Sequence, residues 1–202
     1  MPSLTDVVLP NAFLSSVSCT FHSCFLSPSS HVDIGALGGI SNIPCHNPSA
    51  TVTTLQEFTA LELAVTEIIL DNACCNDESF LVMDFGCFRS VRRIVVGNIS
   101  CFCVDEVKLI GLKELESVVI GENSFTKEKS GWGEDPNRHF YLKNCPKLKE
   151  LRIGRFSFSD YTVCEIENVD ALEVIKIGKL KKESSNFYYA SLELKSILIH
   201  HK

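Results

Sequence analysis

Apolar and polar positions along this chain fall into a short pattern that returns at a nearly constant interval. Leu115-Glu-Ser-Val118-Val-Ile120-Gly121 recurs as Leu148-Lys-Glu-Leu151-Arg-Ile153-Gly154 and as Leu172-Glu-Val-Ile175-Lys-Ile177-Gly178. Upstream, Val91-Arg-Arg-Ile94-Val-Val96-Gly97 follows the same template. Val65-Thr-Glu-Ile68-Ile-Leu70 and Leu194-Lys-Ser-Ile197-Leu-Ile199 follow it without the glycine, and Leu4-Thr-Asp-Val7-Val-Leu9-Pro10 is a seventh copy. The lead positions 65, 91, 115, 148, 172 and 194 are spaced 26, 24, 33, 24 and 22 residues apart.

The fourth and sixth positions of each copy are apolar and the fifth is variable, which is the period of a strand with one buried face. The lead residue turns inward ahead of the strand, and glycine or proline ends it. A second apolar group is expected to close each repeat on its other side: Phe80/Val82/Phe85, Val107/Leu109, Phe140/Leu142, Val163/Ile166 and Phe187/Tyr189. One such repeat cannot bury its own apolar face, so stability has to come from stacking neighbours. The expected fold is a β-rich repeat solenoid of parallel strands stacked at about a 24-residue period, with little helix. Residues 1–50 are expected to be degenerate or irregular and 51–202 to form one continuous domain. Neither end shows a polar capping repeat, so further coils of a longer protein, or self-association, are expected to cover the ends.

On these residues the chain resembles the leucine-rich-repeat family over roughly 50–202. The tails Pro10-Asn-Ala12-Phe13, Gly121-Glu-Asn-Ser124-Phe125 and Gly154-Arg-Phe-Ser157-Phe158 are similar to its BspA-like subclass, whose repeats carry a small residue and a phenylalanine after the strand. The chain departs from the commoner family pattern where an asparagine ladder would run. Ala12, Ala73, Ile99, Phe156 and Leu180 stand there and only Asn123 remains. The resemblance implies a protein that binds and does not catalyse: an interaction scaffold. It also implies an alternative, a surface adhesion or recognition fragment of a larger repeat protein. A truncated gene product without independent function is the remaining alternative.

Composition narrows the partner. Net charge is −6 and pI about 5.5, which speaks against nucleic acid and polybasic membrane contact. Residues 1–104 hold nine acids and three bases, and 105–202 hold sixteen of each. No apolar run approaches a membrane span, no signal-peptide pattern is visible, and the ten scattered cysteines read as reduced, buried hydrophobes. A cytoplasmic chain with another protein as partner is therefore expected. Asn98-Ile-Ser100 is a glycosylation sequon that matters only on a secretory route.

The partner-binding expectation rests on the fifth-position column Val8, Ile69, Val95, Val119, Arg152, Lys176 and Leu198. If the strands stack in register, this column lies on the outer, concave strand face and begins with four β-branched residues. Strand propensity alone would produce the same residues. The flanking column Thr66, Arg92, Glu116, Lys149, Glu173 and Lys195 mixes signs, as a solvated face does. The 33-residue spacing marks an insertion at 126–139 that is polar and holds the single tryptophan, Trp132. It is expected to be either a binding loop or a tolerated surface loop. No catalytic residue, cofactor or metal is expected. Cys19, His22 and Cys24 offer three zinc ligands without a fourth, and no histidine lies in a recognisable catalytic motif. Walker, dinucleotide and nucleophile-elbow motifs are missing.

Overall fold

A computed structural model describes residues 4–8, 26–33, 49–127, 135–179 and 184–195. The chain divides into two compact bodies, residues 1–47 and 48–202. In the first, β1 (Leu4–Val8) lies parallel to β2 (Leu26–Asp33), with a register shift between Leu4 and Asp6. The opening copy of the pattern is thus a strand, but its partner β2 carries no copy of the template.

The second body is strand-rich, with parallel sheets and one five-residue helix. Its first sheet holds β3 (Ser49–Val52), β4 (Glu67–Leu70), β6 (Arg93–Val96), β8 (Ser117–Ile120), β10 (Glu150–Ile153) and β12 (Val174–Ile177). The second holds β5 (Val82–Asp84), β7 (Glu106–Ile110), β9 (Asp135–Lys143), β11 (Tyr161–Glu167) and β13 (Ser191–Lys195). Within each sheet the strands follow chain order, so every circuit of the chain from β4 onward lays one strand in each sheet. The helix α1 (Leu55–Thr59) follows β3 and is started by a capping box. Thr54 Oγ1 accepts from the Glu57 N–H while the Glu57 carboxylate accepts from the Thr54 N–H. Its Phe58 is buried against Phe80, Phe85 and Phe88.

The alternation read from the pattern holds in the first sheet from β4 to β10, whereas in β12 the expected inward residues Ile175 and Ile177 are exposed. Ile68, Ile94, Val118 and Leu151 are at most 1 % exposed and stand in register with one another. The lead residues Val65, Val91, Leu115 and Leu148 are buried beside them, each contributing about 1.5–3 kcal/mol. The core lies between the two sheets, and Met83, Phe85, Val107, Leu109, Phe140, Leu142, Cys164 and Ile166 close it from the second.

The second sheet differs from expectation at several positions. Val82 faces solvent, and Met83 with Phe85 points inward. Val163 is half-buried while Cys164 takes the core position. Phe187 and Tyr189 precede the last strand, β13, in which Leu192 pairs with Cys164 and Leu194 with Ile166. Leu194 is therefore a second-sheet residue, and the template match beginning there is false. The cause is local. Phe-Leu-Val-Met and Tyr-Thr-Val-Cys are apolar at both parities of the strand, so alternation alone cannot say which side is in.

The corner after each first-sheet strand is where the residues seem least suited and the geometry is most regular. Ala73, Ile99, Asn123 and Phe156 all have φ between +56° and +61°, and so, within a few degrees, do Cys75, Cys101, Phe125 and Phe158. Two left-handed residues per corner reverse the chain. At the first of these positions asparagine is comfortable and the β-branched Ile99 is strained. Gly97, Gly121 and Gly154 are needed for a different reason. A Cβ on any of them would lie 2.5–2.7 Å from backbone atoms of the preceding circuit, closer than any side chain tolerates.

A column of buried serines takes the place of the asparagine ladder. Ser100 Oγ donates to the Asp71 carbonyl (2.8 Å) and accepts from the Cys74 N–H (3.3 Å). Ser124 Oγ donates to Gly97 (2.6 Å) and accepts from the Ser100 N–H. Ser157 Oγ donates to Gly121 (2.7 Å) and accepts from the Ser124 N–H. The Asn186 amide continues the column by donating to Gly154 and Ser157 carbonyls. Beneath it, Phe125, Phe158 and Phe187 stack face to face at 4.8 and 5.0 Å.

Candidate interaction surface

Because β3, β4, β6, β8, β10 and β12 pair without a register shift, their outward residues form straight columns. The central one reads Thr51, Ile69, Val95, Val119, Arg152, Lys176. Ile69, Val95 and Val119 are half-buried by one another, and Thr51, Arg152 and Lys176 are exposed. The result is an apolar stripe that turns basic along the sheet. Val8 is outside this column, because β1 pairs only with β2 in a separate sheet. Leu198 and Trp132 lie outside the described residues.

Beside the stripe runs a polar column, Ser49, Glu67, Arg93, Ser117 and Glu150, whose charges are held by partners. Arg93 pairs with Glu67, which also accepts from Ser49 Oγ at 2.9 Å, and Arg152 pairs with Glu150. Each arginine holds its carboxyl below the ordinary range, as Arg92 does for Glu116 across 2.6 Å. The Arg93–Glu67 pair thus lies within this polar column.

The outer face of the second sheet carries no continuous apolar column. Val82, Ile110 and Val163 are separated there by Asp84, Glu106, Lys108, His139, Tyr141, Lys143, Glu165 and Glu167. Lys108 pairs with Glu106, and Lys143 with Glu165 and Glu167. The Tyr141 hydroxyl bonds His139 Nδ1 at 3.1 Å, with the Lys143 ammonium 5.1 Å from its ring centre. Burial pushes the Tyr141 hydroxyl up, and the Glu165 carboxylate does the same to the Lys143 ammonium.

The insertion is shorter than expected. Asp135–His139 belongs to β9, and residues 128–134 of the remainder lie outside the described residues. Within it sits the residue that sequence reading missed. Arg138 is fully buried, with its guanidinium on Asp160 (2.6 Å), Asp105 (3.2 Å) and the carbonyls of Phe102 and Val104. Tyr161 packs under it at 4.9 Å and donates its hydroxyl to Val104. The available signal was the acid just ahead of each flanking strand, Asp105 before β7 and Asp160 before β11, with Arg138 on β9 between them. Lys127 reaches the same Asp105 at 3.0 Å. A hollow of about 430 Å³ opens there, lined by Glu78, Phe102, Cys103 and Lys127.

Cys74, Cys75, Cys87, Cys101, Cys103, Cys145 and Cys164 are unpaired by disulfides. Burial pushes Cys145 up to about 11 and Cys164 to about 12. Hydrogen bonding to Cys101 carries Cys75 to about 12. Cys75 and Cys101 occupy the column that Phe125 and Phe158 fill further on. Among the described residues no three histidine, cysteine or acidic side chains gather closely enough to hold a metal, and no helix is long and apolar enough to cross a membrane. Cys19, His22 and Cys24 lie outside the described residues. Comparison with protein-family models, curated proteins and solved structures finds no match for this chain.

Proposed function

We propose that residues 48–202 form a solenoid of leucine-rich-repeat type, BspA-like in its corners, that works as a non-catalytic scaffold for a protein partner. The alternation of strands between two parallel sheets and the recurring Gly-x-x-Ser-Phe corner support the fold reading. The observation that carries the function is the contrast between the two outer faces. One sets its apolar residues singly among charged ones, and the other places Ile69, Val95 and Val119 side by side, each half-buried. An apolar strip bordered by polar groups suits a docking patch with a small desolvated centre. Lys176 extends the strip beyond the ion-paired Arg152, so the partner segment is apolar over the three β-branched residues and carries an acidic group opposite Lys176. It would run across the strands, with Trp132, between Lys127 and β9, as a second point of contact.

A photo-crosslinking side chain placed at Val95, in the cell of origin, should give an adduct of one defined mass. The same group at Lys108, on the opposite face, should give none. Val95→Glu should weaken capture of that adduct partner by at least about tenfold without shifting the melting temperature. Absence of an adduct at Val95, or the same adduct at both positions, would count against the scaffold reading.

A further inference from the structure

The corner after β6 holds a motif that the outer stripe does not use. Asn98-Ile99-Ser100 is the one Asn-x-Ser/Thr triplet in the chain whose middle residue is not proline, the recognition unit for attaching a glycan to asparagine. Asn98 and Ile99 are exposed. The two ends of the Asn98 side-chain amide are in different states. Its Oδ1 accepts from the Glu122 N–H at 2.7 Å, in the same way that Asn72 Oδ1 accepts from the Asn98 N–H. Its Nδ2 makes no hydrogen bond among the described residues. The amide nitrogens of Asn76, Asn168 and Asn186, in contrast, donate to Ile99, to Asn144 and to the Gly154 and Ser157 carbonyls. At Asn98 the nitrogen that a glycan would occupy has no structural bond to lose.

The third residue of the triplet is in the opposite condition. Ser100 is 0 % exposed, and its hydroxyl is held by the Asp71 carbonyl and the Cys74 N–H. Ile99 stands between the two at φ +59°. The triplet is thus wound into the corner, and the hydroxyl that its third position must offer is withheld from solvent. We infer that Asn98 is an acceptor for an N-linked glycan, attached before this corner closes and carried afterwards by the finished fold. The donor is an oligosaccharide joined to a lipid through diphosphate. A bond forms between Asn98 Nδ2 and the anomeric carbon of the sugar. The bond from that carbon to the diphosphate oxygen breaks, and one amide proton leaves with the lipid diphosphate. The product is still an amide, so its oxygen keeps the Glu122 N–H, and the N–H it loses was bonded to nothing. The order of events is set by Ser100, whose hydroxyl is free only while its circuit is unpaired with the one before.

The test gives the full chain a secretory leader and translates it into microsomes that hold the transferase and its lipid-linked donor. Mass spectrometry should find one glycan, on Asn98, and Asn98→Asp should lose it completely. The same chain, folded first and then mixed with opened microsomes, should stay unmodified. The glycosylated chain is next unfolded in urea with a thiol reductant and refolded. It should regain the urea midpoint of the same chain after enzymatic removal of the glycan. A nascent chain that emerges unmodified overturns the inference. So does a glycan that blocks refolding while the stripped chain refolds, because the finished corner could not then carry it. Modification of the folded chain as readily as of the nascent one overturns the order of events assigned to Ser100.

Discussion

The two sheets of the second body are built from the same chain in alternation, yet they obey different rules. From β4 to β12 the first sheet's strands are four residues long and in unbroken register, and those from β4 to β10 each end at a corner with the same pair of left-handed residues. The second sheet's strands run from three to nine residues, and β9 and β11 pair with a shift. The regular sheet is fixed by groups that recur: inward Ile, Val or Leu in β4 to β10, and in three successive circuits a close-approach glycine and a buried serine. The irregular sheet is fixed at one place by a single non-recurring residue, Arg138, clamped between Asp105 and Asp160. Periodicity and one-off burial are two ways to hold a strand, and only the first leaves a pattern in the sequence.

The largest expected effect tests the inward and outward assignment of the regular sheet. Ile153→Asp puts a carboxylate where 2 % of the side chain is exposed, and cooperative unfolding should vanish. Its neighbour Arg152→Asp should stay within about 1 kcal/mol of the parent in urea denaturation. Similar losses from both would show that the two faces have been assigned wrongly. Next comes the clamp of the irregular sheet. Arg138→Ala leaves two carboxylates facing a buried gap, and the loss should be about 3–5 kcal/mol. Arg138→Lys should recover little of it, since one ammonium cannot reach both acids and two carbonyls. Full recovery by lysine would mean that charge alone, without the fork, holds β9. The smallest effect has the opposite sign. Ile99 is half-exposed at φ +59°, and Ile99→Asn should raise stability by about 1 kcal/mol. A drop in melting temperature would show that the Ile99 side chain does packing work outweighing its strain.

This division also explains what could be read from the residues. The first sheet, its buried positions and its outward column were legible, because Ile-x-Ile and Val-x-Ile alternate cleanly and the glycines mark one boundary. The stripe Ile69–Val95–Val119 follows from that register. The corner was half legible. Positions 73, 99, 123 and 156 stood out as an interrupted asparagine ladder, whereas their shared property is a backbone angle that Ile99 and Phe156 adopt against preference. The serines looked like small fillers and are in fact the hydrogen-bonding column. In the second sheet, Val82 and Val163 were misplaced because both neighbours of each were apolar or nearly so. Leu194 was misassigned because Leu-x-x-Ile-x-Ile arises readily in apolar stretches. Arg138 was hidden in a polar run whose composition suggested a loop.

The serine column has a direction. Each hydroxyl reaches back to satisfy a carbonyl and an N–H of the circuit before it, so every circuit is completed by its successor. Shortening the body from its carboxy-terminal side therefore strips partners from backbone groups that cannot turn away. Within the serine column, shortening from the amino-terminal side releases a hydroxyl, which can rotate to water, while the inter-strand backbone bonds are lost at either end alike. By the same logic an added circuit fits after the last one only if it brings its own serine or amide, whereas one placed ahead of the first must offer only a carbonyl and an N–H. Growth and trimming of this chain are thus unequal at its two ends, and the inequality resides in three side chains, Ser100, Ser124 and Ser157.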